Sequence, residues 1–254
     1  MITILSPAKS LNFKTETQTK KYSNAKFLEY SEELISELKK YSPSNLRELM
    51  HISDGLGELN FIRFQNWTKD HTTDNARQAI LAFNGEVYNG LQALTLSVDE
   101  LLFSQDNIRI LSGLYGILKP LDLIQPYRLE MGTKLPVGSH HNLYGFWGKL
   151  IADSLLSELS QHRYPFIINL ASNEYSKAAI LSEFGDQVIS PVFKEYKNDS
   201  YKVITVYAKK ARGLMTRFII ENKVENPEYL KAFNSEGYAY SENLSDENCW
   251  VFTR

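Results

Sequence analysis

The sequence predicts an α+β fold of the mixed α/β kind, with a mixed sheet flanked by helices and one unit spanning residues 1–254. Three observations carry this prediction. Four short apolar runs, at 2–5, 108–111, 166–170 and 201–207, read as buried strands. Between them apolar residues recur at helical spacing on faces otherwise occupied by Glu and Lys. No Pro/Gly/Ser-rich or charged linker divides the chain, and 43% hydrophobic with 23% charged residues suits a soluble protein with a large core.

In order, residues 2–5 form a strand that delivers Ser6 and Lys9 into a tight loop. Residues 27–40 pattern as a helix through Phe27, Leu28, Leu34, Ile35 and Leu38. Residues 43–64 read as two short helices joined by a turn at Gly55-Leu56-Gly57. Such a Gly-hydrophobe-Gly core suits a helix-hairpin-helix whose glycines let backbone N–H groups approach a phosphate. Glu58 fits a plain helical turn better, and both readings stand. Residues 73–83 read as a helix ended by Gly85, and 98–103 as a short helix. The strand at 108–111 ends in Ser112 and Tyr115. A polar loop from 118 to 132 carries Lys119, Asp122, Tyr127, Arg128 and Glu130.

Residues 142–159 read as one long amphipathic helix with Phe146 and Trp147 as core anchors. The strand at 166–170 opens into Ser172, Glu174, Tyr175 and Lys177, with Ser172 or Asn173 as helix cap. Strands at 188–196 and 201–207 flank a turn-rich tetrapeptide and suggest a hairpin. The second of these, expected to lie centrally in the sheet, runs into a helix with Ala211, Leu214, Met215, Phe218 and Ile219 on one stripe. Its opposite half carries Lys209, Lys210, Arg212 and Arg217. Lysines in a first helical turn oppose the macrodipole, a conflict that a bound anion removes; a solvated basic face is the plainer reading. Gly213 marks a close backbone approach. A short helix at 227–233 and a strand pair around Tyr238 and 250–252 close the chain.

Composition excludes several classes of function. The single cysteine, Cys249, rules out an internal disulfide framework and any cysteine-rich metal site. The five histidines lack metal-ligand spacing, so no metal and no cofactor is expected. The residues at 1–5 are too short for a signal segment and no apolar run reaches membrane length, so a cytoplasmic protein without membrane contact is expected. Net charge of −2 confines any polyanion site to a local patch.

If the strands run parallel with helical crossovers, their polar payloads meet along one sheet edge in a basic cleft containing a few acids and tyrosines. Lys9, Lys209, Lys210, Arg212 and Arg217, with Gly55 and Gly57, are then candidates for phosphate binding. Lys9, Tyr115, Arg128, Glu130, Glu174 and Tyr175 are candidates for catalysis. Glu130 and Glu174 serve proton transfer on one reading and rim salt bridges on the other.

Several runs together resemble the YaaA family of peroxide-stress proteins: LSPAKS at 5–10, DNARQAILAFNGEVYNGL at 74–91, LSGLYGILKPLDLIQPYRLEMG at 111–132, LYGFWG at 143–148, INLASNEYSK at 168–177, VYAKKARGLMTRFIIEN at 206–222 and FNSEGYAY at 233–240. The resemblance implies a cytosolic protein of the peroxide response that limits iron-dependent damage. It also implies a family-specific fold that binds duplex or branched DNA through a positive cleft and a helix-hairpin-helix, with self-association on DNA allowed for. It supplies no catalytic mechanism. Two hypotheses therefore stand: a DNA-binding protein, marked by steep salt dependence, and an enzyme acting on a nucleotide or other phosphorylated small molecule, marked by a small enclosed pocket.

Overall fold

Five mutually parallel strands form the middle of the main sheet in this computed structural model, which describes residues 1–17 and 19–254. The chain begins with β1 (Ile2–Leu5), buried throughout, then the two-residue strands β2 (Ser10–Leu11) and β3 (Ser23–Asn24). Helix α1 (Leu28–Leu38) buries Leu34, Ile35 and Leu38. Helices α2 (Pro43–Met50) and α3 (Asp54–Asn66) follow; Ser42 caps α2 by accepting the Asn45 N–H, with Pro43 at the first helical position.

The expected helix at 73–83 is replaced by β4 (Arg77–Gln78), one turn of helix α4 (Ala79–Ala82) and β5 (Phe83–Asn84). Ala79, Ile80, Leu81 and Ala82 are all buried, so no wet face exists and pairing decides the conformation. Gly85 stands before α5 (Glu86–Leu91) instead of ending a helix. Helix α6 (Val98–Asn107) starts in a capping box between Ser97 and Glu100. Next come β6 (Ile108–Ser112), β7 (Gly116–Leu118) and β8 (Asp122–Ile124), so part of the expected 118–132 loop is strand.

The helix expected over 142–159 is two, α7 (Leu143–Trp147) and α8 (Leu150–Leu159), broken at Gly148, whose φ of +46° favours glycine. Trp147 is fully buried, as expected of a core anchor, and donates its indole N–H to the Gly113 carbonyl. Then follow β9 (Ile167–Asn169), α9 (Asn173–Ala178), β10 (Val188–Lys197) and β11 (Ser200–Lys202). Helix α10 (Thr205–Glu221), β12 (Ala239–Tyr240) and β13 (Cys249–Thr253) complete the chain.

The order across the main sheet is β12-β13-β10-β9-β1-β6-β7, with β11 paired to β10. Strands β7 and β12 run antiparallel to their neighbours, making the sheet mixed. One contiguous core draws on residues from Met1 to Phe252.

Residues 201–207 are not a central strand. The 188–197 run takes that place, and Asn198 and Asp199, both at positive φ, turn the chain back into the short β11. Tyr201 and Val203 are 45% and 55% exposed. The β-branched and aromatic composition that suggests burial instead builds a projecting hairpin.

Candidate functional site

The connection from β1 leads to β6 on one side of the sheet, whereas the connection from β9 leads to β10 on the other. A crevice therefore opens between the carboxyl ends of β1 and β9, the place where open α/β sheets bind ligands. Ser6, just after β1, ties its walls together. Its Oγ accepts the Ser172 N–H at 2.8 Å and donates to Ser172 Oγ at 3.2 Å, while Tyr88 donates its hydroxyl to the Ser6 carbonyl at 3.0 Å.

The crevice holds a cavity of about 450 Å³ lined by four cations, Lys9, Arg128, Lys209 and Arg212, and three carboxylates, Glu86, Glu130 and Glu174. A neighbouring cavity of about 420 Å³, reached past Lys9, Arg128, Glu130 and Glu174, extends toward His51 and Lys134. Lys9 Nζ sits 2.7 Å from Glu130 Oε2, and Arg128 Nη2 lies 3.1 Å from Glu130 Oε1, so Glu130 bridges the two cations. Arg128 Nε is buried and has no hydrogen-bond partner among the described residues. Glu174, in the first turn of α9, accepts the Gly132 N–H at 2.9 Å.

Tyr88, Tyr127 and Tyr175 form a tyrosine wall. Burial pushes all three hydroxyls above the ordinary tyrosine range; Tyr127 adds to the rise at Tyr88 and Tyr175, and Tyr115 to that at Tyr127, so all stay protonated at neutral pH. They present ring surface and neutral hydroxyls, not phenolates; the Tyr88 hydroxyl is engaged by the Ser6 carbonyl and that of Tyr127 by Ser112.

Helix α10 supplies the opposite cations because two glycines let it press against α5. A Cβ on Gly213 would lie 1.8 Å from the Val87 carbonyl oxygen, and one on Gly90 would lie 2.2 Å from the Lys210 carbonyl oxygen. The close approach expected at Gly213 is thus to a helix. Lys209 and Arg212 line the cavity, and neither has an ion-pair partner among the described residues. Arg212 is mostly buried, which pulls its pKa down from the ordinary arginine value.

The structure brings Lys9, Arg128, Glu130, Glu174, Tyr175, Lys209 and Arg212 to one cavity and leaves the other candidates elsewhere. Lys210 pairs with Glu236. Arg217 pairs with Glu221 at 2.7 Å and donates to the Leu91 carbonyl and to Thr95 Oγ1, joining α10 to the end of α5. Tyr115 is fully buried in the core, because β6 turns at once into the antiparallel β7 and carries its payload inward. There Tyr115 accepts from the Trp67 indole at 3.1 Å and the Gln125 N–H at 3.0 Å, and meets His71 Nε2 at 3.1 Å.

Lys209 and Lys210 do not sit in a first helical turn, since α10 starts at Thr205, so the macrodipole argument for an anion there does not hold. Gly55 and Gly57 lie in the first turn of α3, after the 51–53 connection. A Cβ on Gly57 would come 2.7 Å from the Pro43 carbonyl oxygen, so this glycine serves the packing of α2 on α3. Ser6, expected among the strand-end payloads, lines the cavity, whereas sequence reasoning missed Glu86 and Tyr88. Both lie in the 74–91 run that carries the resemblance, and that was the available signal.

A family model described as peroxide stress protein YaaA matches residues 1–244. The chain belongs to the YaaA family. Similar proteins called UPF0246 protein occur in Dechloromonas aromatica and Colwellia psychrerythraea, each 50% identical over the whole chain and 99% of the relative. A third, from Cellvibrio japonicus, is 48% identical over the whole chain and 98% of its length. Membership gives the protein an oxidative-stress setting. No helix among the described residues is long and apolar enough to cross a membrane, and no three His, Cys, Asp or Glu side chains there converge as a metal-binding group.

Proposed function

We propose that this YaaA-family chain binds DNA in the peroxide response by seating backbone phosphates in the cleft between β1 and β9. One observation carries the reading: Lys209 and Arg212, without acidic partners among the described residues, share a cavity with Lys9 and Arg128. Cations left unneutralised on a chain of net charge −2 favour an anion from outside, and the guanidinium geometry favours phosphate. The cavity is far narrower than a duplex, so the strand that enters is at a branch, an end or an unpaired stretch. Limitation of iron-dependent damage follows in this proposal from occupancy of the DNA.

The test is binding of labelled blunt, branched and single-stranded DNA over a salt series, for the protein and a Lys209→Glu, Arg212→Glu variant. The expected result is affinity that falls steeply with salt, and a variant that loses both affinity and about two phosphates' worth of slope. Equal binding by the variant, or none by the native protein, overturns it. A second reading, a nucleotide or other phosphorylated small molecule, is favoured by Glu130 and Glu174 inside a cavity of ligand size, since carboxylates repel a polyanion. Saturable binding of a mononucleotide without DNA binding would decide for it.

A further inference from the structure

The distal end of the β10–β11 hairpin, residues 195–202, takes no part in the hydrophobic core, and its composition is unusual for a bare surface. Tyr196 and Tyr201 are directly opposed across the ladder, their rings 5.2 Å apart, and they are 59% and 45% exposed. Val203, Val206 and Tyr207 continue the exposed apolar surface to the start of α10, two residues short of Lys209 in the cleft. Opposed residues of a ladder share a face, so Lys194, two residues before Tyr196, lies on the tyrosine face. Lys197 and Lys202 project from the reverse of the same narrow ribbon. None of these three lysines has an ion-pair partner among the described residues.

The acids nearby do not neutralise the ribbon. Glu195 is held by Arg254 and the Tyr238 hydroxyl, and the other acid within residues 194–202 is Asp199 at the tip. A second copy of this chain docked on the hairpin would bring the same lysines against these. A ligand that offers flat π surfaces and negative charge together meets both features.

We infer that the hairpin is a stacking platform for single-stranded nucleic acid, with bases on Tyr196 and Tyr201 and phosphates near Lys194, Lys197 and Lys202. Base-on-aromatic stacking is tolerant of sequence, and lysines beside the rings track the backbone. This rests on the nucleic-acid reading of the cleft and gives it a direction: an unpaired strand leaves the platform along the N-terminal end of α10 and enters the cleft at Lys209.

The experiment compares a blunt duplex with the same duplex carrying a single-stranded tail that contains 2-aminopurine. The protein, a Tyr196→Ala, Tyr201→Ala variant and a Tyr196→Phe, Tyr201→Phe variant are each titrated. The native protein should bind the tailed duplex at least about tenfold more tightly and change the 2-aminopurine emission. The alanine variant should lose that preference while keeping blunt-duplex affinity and its melting temperature, and the phenylalanine variant should keep the preference. A tail preference that survives the alanine change, or 2-aminopurine emission that does not respond, overturns the platform and leaves the cleft reading standing. A native protein that sediments as a dimer and an alanine variant that sediments as a monomer, with no tail preference in either, would assign the hairpin to self-association instead. If the native protein binds no DNA form, the cleft reading and the platform fall together.

Discussion

Gly213 of α10 and Gly90 of α5 hold the two helices in backbone contact, each placed where a side chain would overlap the other helix's main chain. Replacing Gly213 by alanine would gain about 1 kcal/mol of helix propensity. The new methyl group would lie 1.8 Å from the Val87 carbonyl oxygen, a rigid backbone atom, and overlap of that kind costs about 1–3 kcal/mol or more. The clash should win. Gly213→Ala is expected to unfold at lower urea concentration and to bind phosphate ligands more weakly as α10 is pushed away from the cleft; unchanged stability would refute this account of the crossing.

Tyr115 was a candidate for catalysis by its place after a strand, and its surroundings make it a structural residue. Its oxygen accepts from Trp67 and Gln125, so its own proton goes to His71 Nε2, which leaves His71 Nδ1–H to donate to the Lys69 carbonyl. Tyr115→Phe strands buried partners, and the expected loss is about 3 kcal/mol of stability with ligand affinity unchanged in the folded fraction. Full stability with lost function would restore Tyr115 to the site.

Arg212 and Arg217 share one helix and should behave oppositely. Arg217→Ala removes contacts to Glu221, Leu91 and Thr95 and should lower the melting temperature while leaving the salt slope of DNA binding in place. Arg212→Ala should lower the slope by about one phosphate and leave the melting temperature nearly unchanged. Parallel calorimetry and binding on the two variants separates the roles.

Stability should also carry a signature of Asp122. Burial pushes its carboxyl up to about 6, against the lowering influence of hydrogen bonds from the Ser23 hydroxyl and the Lys119 N–H. The folded state holds this proton more tightly than the unfolded chain, so its contribution is full below about pH 4 and is lost as pH rises through about 6. The difference in unfolding free energy between the native protein and Asp122→Asn should therefore fall by on the order of 2–3 kcal/mol from pH 4 to 7. A flat or rising difference would show that Asp122 is not buried in this way.

The strands at 2–5, 108–111 and 166–170 and the meeting of Lys9, Glu130, Glu174 and Tyr175 were legible because apolar runs and polar payloads are local patterns, whereas Lys209 and Arg212 reach the same cavity from α10 and not from the end of a central strand. Residues 201–207 misled because aromatic and β-branched composition is shared by buried strands and exposed ribbons, and only the pairing partner tells them apart. Residues 77–84 misled because burial runs unbroken from 76 to 83, polar Arg77 and Gln78 included, and so follows no helical period. Lys210 and Arg217 looked like free cations because Glu236 is distant in sequence and the α5 carbonyls are unmarked by any side chain.

The central position of β1 also sets the order of events during synthesis. Ile2 pairs with Ile167 and Thr3 with Ile108, so β1 waits for partners more than a hundred residues downstream. At about 5–20 residues per second, its β9 edge stays open for roughly 8–33 seconds after it leaves the ribosome. A short, mostly apolar edge exposed for that long is a surface a chaperone would shield. The cleft, made where β1 meets β9, is among the last parts of the molecule to exist.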